Sequence, residues 1–289
     1  MKKVRLVLGS GGARGMAHIG VIEELERAGF EIVEVVGCSM GAVVGGIYCA
    51  GYLAEYKHWL IRLTRLDVFR LLDFTLSAQG FVKGERVFKA IAEFIGDHQI
   101  ENFRIPFTAV AADITHEKEI HYRSGSLFEA LRASIAIPTI LTPVSQGKVK
   151  LVDGGVLNPL PVNLVNKQPD EWVVAVNLNA NLATTPAQET LEENKERDAF
   201  GKMLDTILAT FPKFESEKTA DNLGLFDLLN KSYDMTQDRL THLMIDVYKP
   251  DLVVEISRHA CGVFEFYRAN EIIEEGRKAF HSAYTLKRE

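Results

Sequence analysis

Residues 31–41 read Glu31-Ile32-Val33-Glu34-Val35-Val36-Gly37-Cys38-Ser39-Met40-Gly41. The first six form an apolar-rich run of strand length. The residues that follow, Ala42-Val43-Val44-Gly45-Gly46-Ile47-Tyr48-Cys49-Ala50, read as a helix. Strand, Gly-x-Ser-x-Gly, helix is the context a nucleophile elbow requires. A sharp strand-to-helix turn holds the serine in a strained conformation, and Gly37 and Gly41 let other backbone approach without a Cβ clash. Ser39 then sits at a helix N-terminus, where unpaired N–H groups and the helix dipole favour developing negative charge. Gly45 and Gly46 cost helix propensity, so their presence points to tight packing of this helix on the sheet. The pentapeptide alone fits an ordinary glycine-rich turn equally well; the flanking strand and helix favour the elbow.

Working back toward the N-terminus, residues 4–8 are a short apolar run ended by glycine and predict a buried strand. Gly9-Ser10-Gly11-Gly12-Ala13-Arg14-Gly15 follows. Ile19, Ile22 and Leu25 then recur at helical spacing, with Gly29 as the C-terminal cap. Strand, glycine loop, helix and the elbow strand make a βαβ beginning, which implies a parallel sheet. As a dinucleotide fingerprint the loop fails, because Ser10 stands where glycine is needed; as a P-loop it lacks the Gly-Lys-Ser/Thr ending. As an oxyanion hole it fits: successive N–H groups in a glycine-rich turn form a concave anion site with no side chains in the way. Arg14 could hold this loop, add positive potential, or form a surface salt bridge.

Working forward, residues 57–104 are mixed and read as mainly helical. Leu60, Leu63, Leu66, Phe69, Leu71, Leu72 and Phe74 make one segment strongly apolar. Ordinary core packing is its simpler reading, and an acyl-chain pocket or lid the alternative. Gly80-Phe81-Val82-Lys83-Gly84 reads as a turn, and residues 87–95 as an amphipathic helix ended by Gly96. Residues 105–113, 119–123, 148–152 and 172–178 read as strands, and residues 127–135 as a helix stopped by Ile137-Pro138. Asp153-Gly154-Gly155 is a tight turn; taken alone, Asp153 is a turn aspartate. Residues 180–198 are polar and read as a mobile loop or insertion. Helical patches follow at 200–211 and 223–233, late strands at 242–247 and 252–256, and a closing helix at 267–284.

Composition bounds the function. A chain of 289 residues with 47% hydrophobic and 25% charged residues is ordinary for a soluble globular protein with a substantial core. The net charge of -6 argues against a nucleic-acid partner and gives no field that draws the chain to anionic lipid. Cys38, Cys49 and Cys261 are odd in number and contain no Cys-x-x-Cys, which suits a reducing cytosol and disfavours disulfides or a zinc site. Strand alternation is expected to aim the Cys38 thiol into packing, away from Ser39. The N-terminal apolar run is too short for a signal peptide, and no apolar segment reaches the length of a membrane span. The expectation is a cytoplasmic protein that touches membranes only peripherally, if at all. The oligomeric state is open.

The glycine loop, the elbow and the distant Asp-Gly-Gly, in this order and spacing, resemble the patatin-like phospholipase family, in its bacterial branch. The resemblance extends to Arg132-Ala133-Ser134-Ile135-Ala136-Ile137-Pro138 and to the C-terminal Phe266-Tyr267-Arg268-Ala269-Asn270-Glu271-Ile272-Ile273-Glu274-Glu275-Gly276, and so covers nearly the whole chain. It implies one domain over residues 1–289 with a three-layer α/β/α fold and a mainly parallel sheet. It also implies hydrolysis of lipid acyl esters by a Ser–Asp dyad without histidine. Carried over by position, Ser39 matches the nucleophile and Asp153 the catalytic aspartate. Gly11, Gly12, Ala13, Arg14 and Gly15 match the oxyanion loop, and Gly37, Gly41, Gly154 and Gly155 the motif glycines. Ser10 departs from the usual leading glycine, and Gly155 stands where alanine is also common. No metal or organic cofactor is implied, and the implied partner is a lipid or acyl-ester substrate.

Serine is a poor nucleophile unless a base takes its proton. An aspartate with a pKa of about 3.9 is a weak base at neutral pH, and desolvation in a closed cleft would make it more competent. Each oxyanion donor would be worth about 3 kcal/mol. Two rivals stand beside this reading. Ser39, Asp246 and His259 occur in the chain order of an α/β-hydrolase triad, although only one strand–helix unit precedes the elbow, and His18, His116, His121 and His259 lack supporting motifs. A catalytically idle regulatory or scaffolding member of the same family would carry the same motifs.

Overall fold

The computed structural model of the protein describes residues 2–77, 80–182 and 225–288. In β1 (Lys2–Leu8), Val4, Leu6 and Leu8 face one apolar cluster while Val7 faces another, so this strand is covered on both sides. Helix α1 (Ala17–Arg27) returns the chain to β2 (Phe30–Cys38), which pairs parallel to β1. Then come α2 (Met40–Cys49), α3 (Leu53–Leu60), α4 (Arg65–Leu71), β3 (Phe74–Ser77), β4 (Gly80–Val82), α5 (Glu85–Ile95), β5 (Phe107–Asp113), β6 (Lys118–Tyr122), α6 (Leu127–Ser134), β7 (Thr139–Leu141), β8 (Val144–Gln146) and β9 (Val149–Asp153). The later elements are β10 (Glu171–Ala180), α7 (Leu225–Tyr248), β11 (Leu252–Ser257) and α8 (Ala269–Arg288).

The main sheet runs β11-β10-β1-β2-β5-β9-β8, with β6 beside β5. Pairing is parallel from β11 through β5 and antiparallel among β5, β6, β8 and β9. On one face Ile19 and Ile22 of α1, Val44 and Ile47 of α2, and Ile273 and Phe280 of α8 join the large core cluster. On the other, Met244 and Ile245 of α7 pack on Val7, Val173 and Ala175. The expected three-layer α/β/α arrangement with a mainly parallel sheet is what these residues build.

One register detail places the site. Ala109 and Val110 of β5 pair with Gly37 and Cys38 on one edge and with Tyr122 and His121 of β6 on the other. At Ala111 the β6 edge continues, but the β2 edge is taken over by Asp153 of β9. Strands β2 and β9 therefore run toward each other along one edge of β5 and meet end to end. Residues 39 and 153, far apart in sequence, are brought together by that meeting.

Several expectations are corrected. Residues 242–247 are not a strand but the last turns of α7. The alternating Leu243, Ile245 and Val247 mimic a strand, whereas the buried face of the helix is Gln237, Thr241, Met244 and Ile245, a helical spacing with two polar members. The turn read at Gly80–Gly84 begins as β4, which joins β3 and β7 in a small separate sheet. Strand β8, not anticipated from sequence, pairs with β9. The polar stretch read as a loop lies outside the described residues from 183 onward, as does the helical patch at 200–211.

Candidate active site

Ser39 occupies the turn between β2 and α2 with φ 56° and ψ -127°, a left-handed conformation that costs a non-glycine residue strain. The surroundings hold it there. Its N–H donates to Ser134 Oγ at 2.9 Å, and the Ser134 hydroxyl in turn donates to Val110 O at 2.6 Å. Its carbonyl accepts the first helical bonds from Ala42 and Val43. A β-carbon on Gly37 would lie 2.4 Å from Gly41 O, and one on Gly41 would lie 2.1 Å from Leu8 O. The motif glycines are therefore close-approach residues, which let the helix start against the end of β1.

The Ser39 hydroxyl donates to Asp153 Oδ2 at 2.6 Å. Asp153 ends β9, its N–H bonded to Ala136 O and its Oδ1 accepting the Gly155 amide at 2.7 Å. Both side chains are buried, at 1% and 0% exposure. Burial pushes the Asp153 carboxyl up to about 6, against the opposing pull of hydrogen bonds from Ser39, the Gly155 amide and Cys38. Gly154 has no room for a side chain either, since a β-carbon would meet Val110 O at 2.4 Å. Cys38 is a packed, buried thiol, but it does not point away from the site as alternation suggested. Its Sγ lies 3.8 Å from Asp153 Oδ1, and burial together with the negative carboxylate raises the thiol pKa well above its ordinary value.

The glycine loop lies at the same end of the sheet. The amides of Gly9, Ser10 and Ala13 are used on Val176 O, Pro159 O and Val263 O; those of Gly11 and Gly12 have no such acceptor among the described residues. Arg14 is no surface ion pair: its guanidinium donates to Gly11 O at 2.9 Å and to Arg258 O at 2.8 Å, which braces the loop. Gly15 packs against Met40, where a β-carbon would meet Met40 Cβ at 2.4 Å.

An apolar cavity opens from Ser39 and Gly12. Its lining includes Leu60, Leu63, Val68, Leu71 and Leu72, and Ile137, Ile140 and Leu141. The apolar segment after residue 57 thus forms pocket wall as well as core, while Leu66, 53% exposed, faces solvent. Among the described residues no histidine is hydrogen-bonded to Ser39. His18 is buried on Gly9 O, His116 pairs with Asp113 and His121 with Glu119, and Asp246 is exposed on α7. The Ser39–Asp246–His259 triad is not assembled. No cluster of metal-holding side chains occurs among the described residues, and no helix there is long and apolar enough to cross a membrane.

Sequence reading missed Ser134, which orients the Ser39 amide, and Tyr233 and Gln237 of α7, which approach the Asp153 turn. Ser134 sits in the quoted Arg132–Pro138 stretch, so a signal existed; Tyr233 and Gln237 gave none.

An uncharacterized NTE family protein of Mycobacterium bovis is 35% identical over 95% of this chain and 89% of its own length, and one of Mycobacterium tuberculosis matches equally. A lysophospholipase NTE1 of Yarrowia lipolytica is 34% identical over 63% of this chain and 13% of its own. Among solved structures, VipD from Legionella pneumophila aligns over 98% of this chain and 67% of its own, at 14% identity and a TM-score of 0.43. The model of the patatin-like phospholipase family matches residues 6–165, from the first strand through the glycine loop and elbow to beyond the aspartate turn. The chain belongs to the patatin-like phospholipase family.

Proposed function

We propose that the protein is a serine lipid acyl hydrolase, of phospholipase, lysophospholipase or esterase type, working through a Ser39–Asp153 dyad. The observation that carries this reading is the 2.6 Å bond from Ser39 Oγ to a fully buried carboxylate at the mouth of an apolar cavity. The cavity takes the fatty acyl chain and brings the ester carbonyl to Ser39. As Oγ attacks, its proton passes to Asp153 Oδ2, and the tetrahedral oxyanion is held by the amides of Gly11 and Gly12. The alcohol leaves with a proton and the acyl-enzyme remains. Water, deprotonated by the same aspartate, then releases the fatty acid. A carboxyl held at about 6 is a better proton acceptor than a free aspartate and is still ionised at neutral pH. The three buried free cysteines suit a reducing compartment, with membranes met peripherally at the substrate.

The test is hydrolysis of a p-nitrophenyl acyl-ester series and of phospholipid and lysophospholipid, by wild type and Ser39→Ala, with covalent capture of Ser39 by a fluorophosphonate. Activity that survives Ser39→Ala sinks the reading. A wild type inert to all substrates and to the fluorophosphonate would move the regulatory role to the front.

Two outcomes follow from the site. The base must be ionised, so kcat/KM is expected to fall tenfold per pH unit below about 6, as Asp153 protonates, and to be flat above that. A rate unchanged from about pH 8 down to about 4.5 would exclude Asp153 as the base. Replacing Leu71 and Leu72 in the cavity wall by asparagine should shift preference toward short acyl esters by roughly tenfold. An unchanged chain-length profile would take the cavity out of acyl recognition.

A further inference from the structure

Beside the Asp153 turn, at Gly155, lies α7, a helix outside the segment that the family model matches. Tyr233 and Gln237 are four residues apart and so lie on one face of this helix. Gln237 is 4% exposed, and its Nε2 donates to the Tyr233 hydroxyl at 2.8 Å and to Ser10 Oγ at 3.3 Å. A β-carbon on Gly155 would lie 2.1 Å from Gln237 Nε2 and 3.0 Å from both Asp153 Oδ1 and Tyr233 Oη. The missing side chain of Gly155 leaves the space in which these three polar atoms converge. Ser10 and Gly155 both lie against the same Gln237 amide. Ser10 gives that amide an acceptor, and Gly155 gives it room.

We propose that Gln237 and Tyr233 are positioning residues for the Ser39–Asp153 pair: Gln237 ties the glycine loop to the aspartate turn, and Tyr233 lends a hydroxyl dipole to the Asp153 carboxylate. This inference rests on the acyl-hydrolase reading of that pair. In a serine–histidine–aspartate site a third group orients the base. Here the base is the aspartate itself, with Oδ1 held by the Gly155 amide while Oδ2 faces the nucleophile. Because Gln237 donates to both hydroxyls, Tyr233 and Ser10 keep their own protons for other acceptors. The titratable groups facing Asp153 are Cys38 from β2 and Tyr233 from α7, with Glu119 acting on Cys38 and Asp234 on Tyr233 from further out. Burial raises both Cys38 and Tyr233 well above their ordinary values, so both are neutral dipoles at the carboxylate.

The experiment uses the full chain with Gln237→Leu, Tyr233→Phe, Gly155→Ala, and Gly155→Ala in a Gln237→Ala background. Active sites are counted by fluorophosphonate labelling, and kcat and KM on p-nitrophenyl butyrate are followed across pH. Gln237→Leu is expected to lower kcat per labelled site by about tenfold with KM within about twofold. Tyr233→Phe should move the acid limb up by roughly half a pH unit, because the carboxylate loses a stabilising dipole. Gly155→Ala should cost about as much as Gln237→Leu in the wild-type background and almost nothing further once Gln237 is alanine. A purely structural role would lower the folded fraction but leave kcat per labelled site and the acid limb in place. That result, or full additivity of Gly155→Ala with Gln237→Ala, overturns the proposal. Loss of the inference alone is recognised by Ser39→Ala remaining inactive, whereas an active Ser39→Ala shows that the acyl-hydrolase reading has failed.

Discussion

Changing Ser39 to alanine is expected to cut ester turnover by on the order of 10⁵-fold, and Asp153→Asn by about 10⁴-fold. Alanine removes only the atom that attacks. Cys38 cannot substitute for it, because its thiol is fully buried and kept protonated by burial and by Asp153. Asparagine keeps the shape of the aspartate, and its carbonyl oxygen can still accept the Gly155 amide. Its NH₂, however, would face Ser39 Oγ and donate where a proton has to be accepted. The same change should stabilise the fold. Asp153 titrates at about 6 in the folded protein against an ordinary 3.8, so the folded state binds this proton more tightly than the unfolded state. Stability from this group therefore grows as pH falls from above 6 toward 3.8, and at pH 8 the buried carboxylate costs about 3 kcal/mol. Asp153→Asn removes that charge, and a melting temperature at pH 8 several degrees above wild type is expected. Calorimetry and ester assays on the same samples check both halves. A folded Asp153→Asn protein that keeps about a tenth of wild-type turnover would remove the aspartate from the chemistry.

The parts of this site that were legible in the sequence are those fixed by local backbone. The elbow needs glycine at 37 and 41 because neighbouring carbonyls pass within 2.4 Å of where their β-carbons would be. The aspartate turn needs Gly154 for the same reason. Such demands act over a few residues and leave motifs. The meeting of β2 and β9 on one edge of β5 is a long-range pairing that leaves no local trace, so Asp153 alone reads as a turn residue. The later half of helix α7 was hidden for a different reason, although its start fell in the helical patch read at 223–233. Its buried face carries Gln237 and Thr241 where a helical pattern calls for apolar residues, and the remaining alternation at 243, 245 and 247 imitates a strand. Of these two polar residues, Gln237 is the one that reaches Ser10 and Tyr233. On this helix the apolar pattern fails at a buried side chain committed to hydrogen bonds rather than to apolar packing.

Gly41→Ala is expected to destabilise the protein by more than about 3 kcal/mol and to lower its melting temperature by about 10 °C, or to leave it insoluble. The added carbon would lie 2.1 Å from Leu8 O, 2.5 Å from Leu8 C and 2.8 Å from Gly9 O. These are backbone atoms, so no rotamer change relieves the contact. Leu8 cannot retreat, because it is paired with Gly37 of β2 on one side and Val176 of β10 on the other. Relief therefore requires α2 to lift off the sheet, which would open the packing of Val44 and Ile47 in the core. Gly29→Ala is the control. Gly29 has positive φ but nothing within 4 Å of the added carbon, so only the left-handed strain of about 1–2 kcal/mol applies. The two variants separate close approach from backbone conformation as the reason for glycine. Because the contact with Leu8 also sets the height of the α2 N-terminus behind Ser39, any folded Gly41→Ala protein should have lost turnover per labelled site as well. A Gly41→Ala protein with the melting temperature of Gly29→Ala and undiminished turnover would show that α2 does not start against the end of β1.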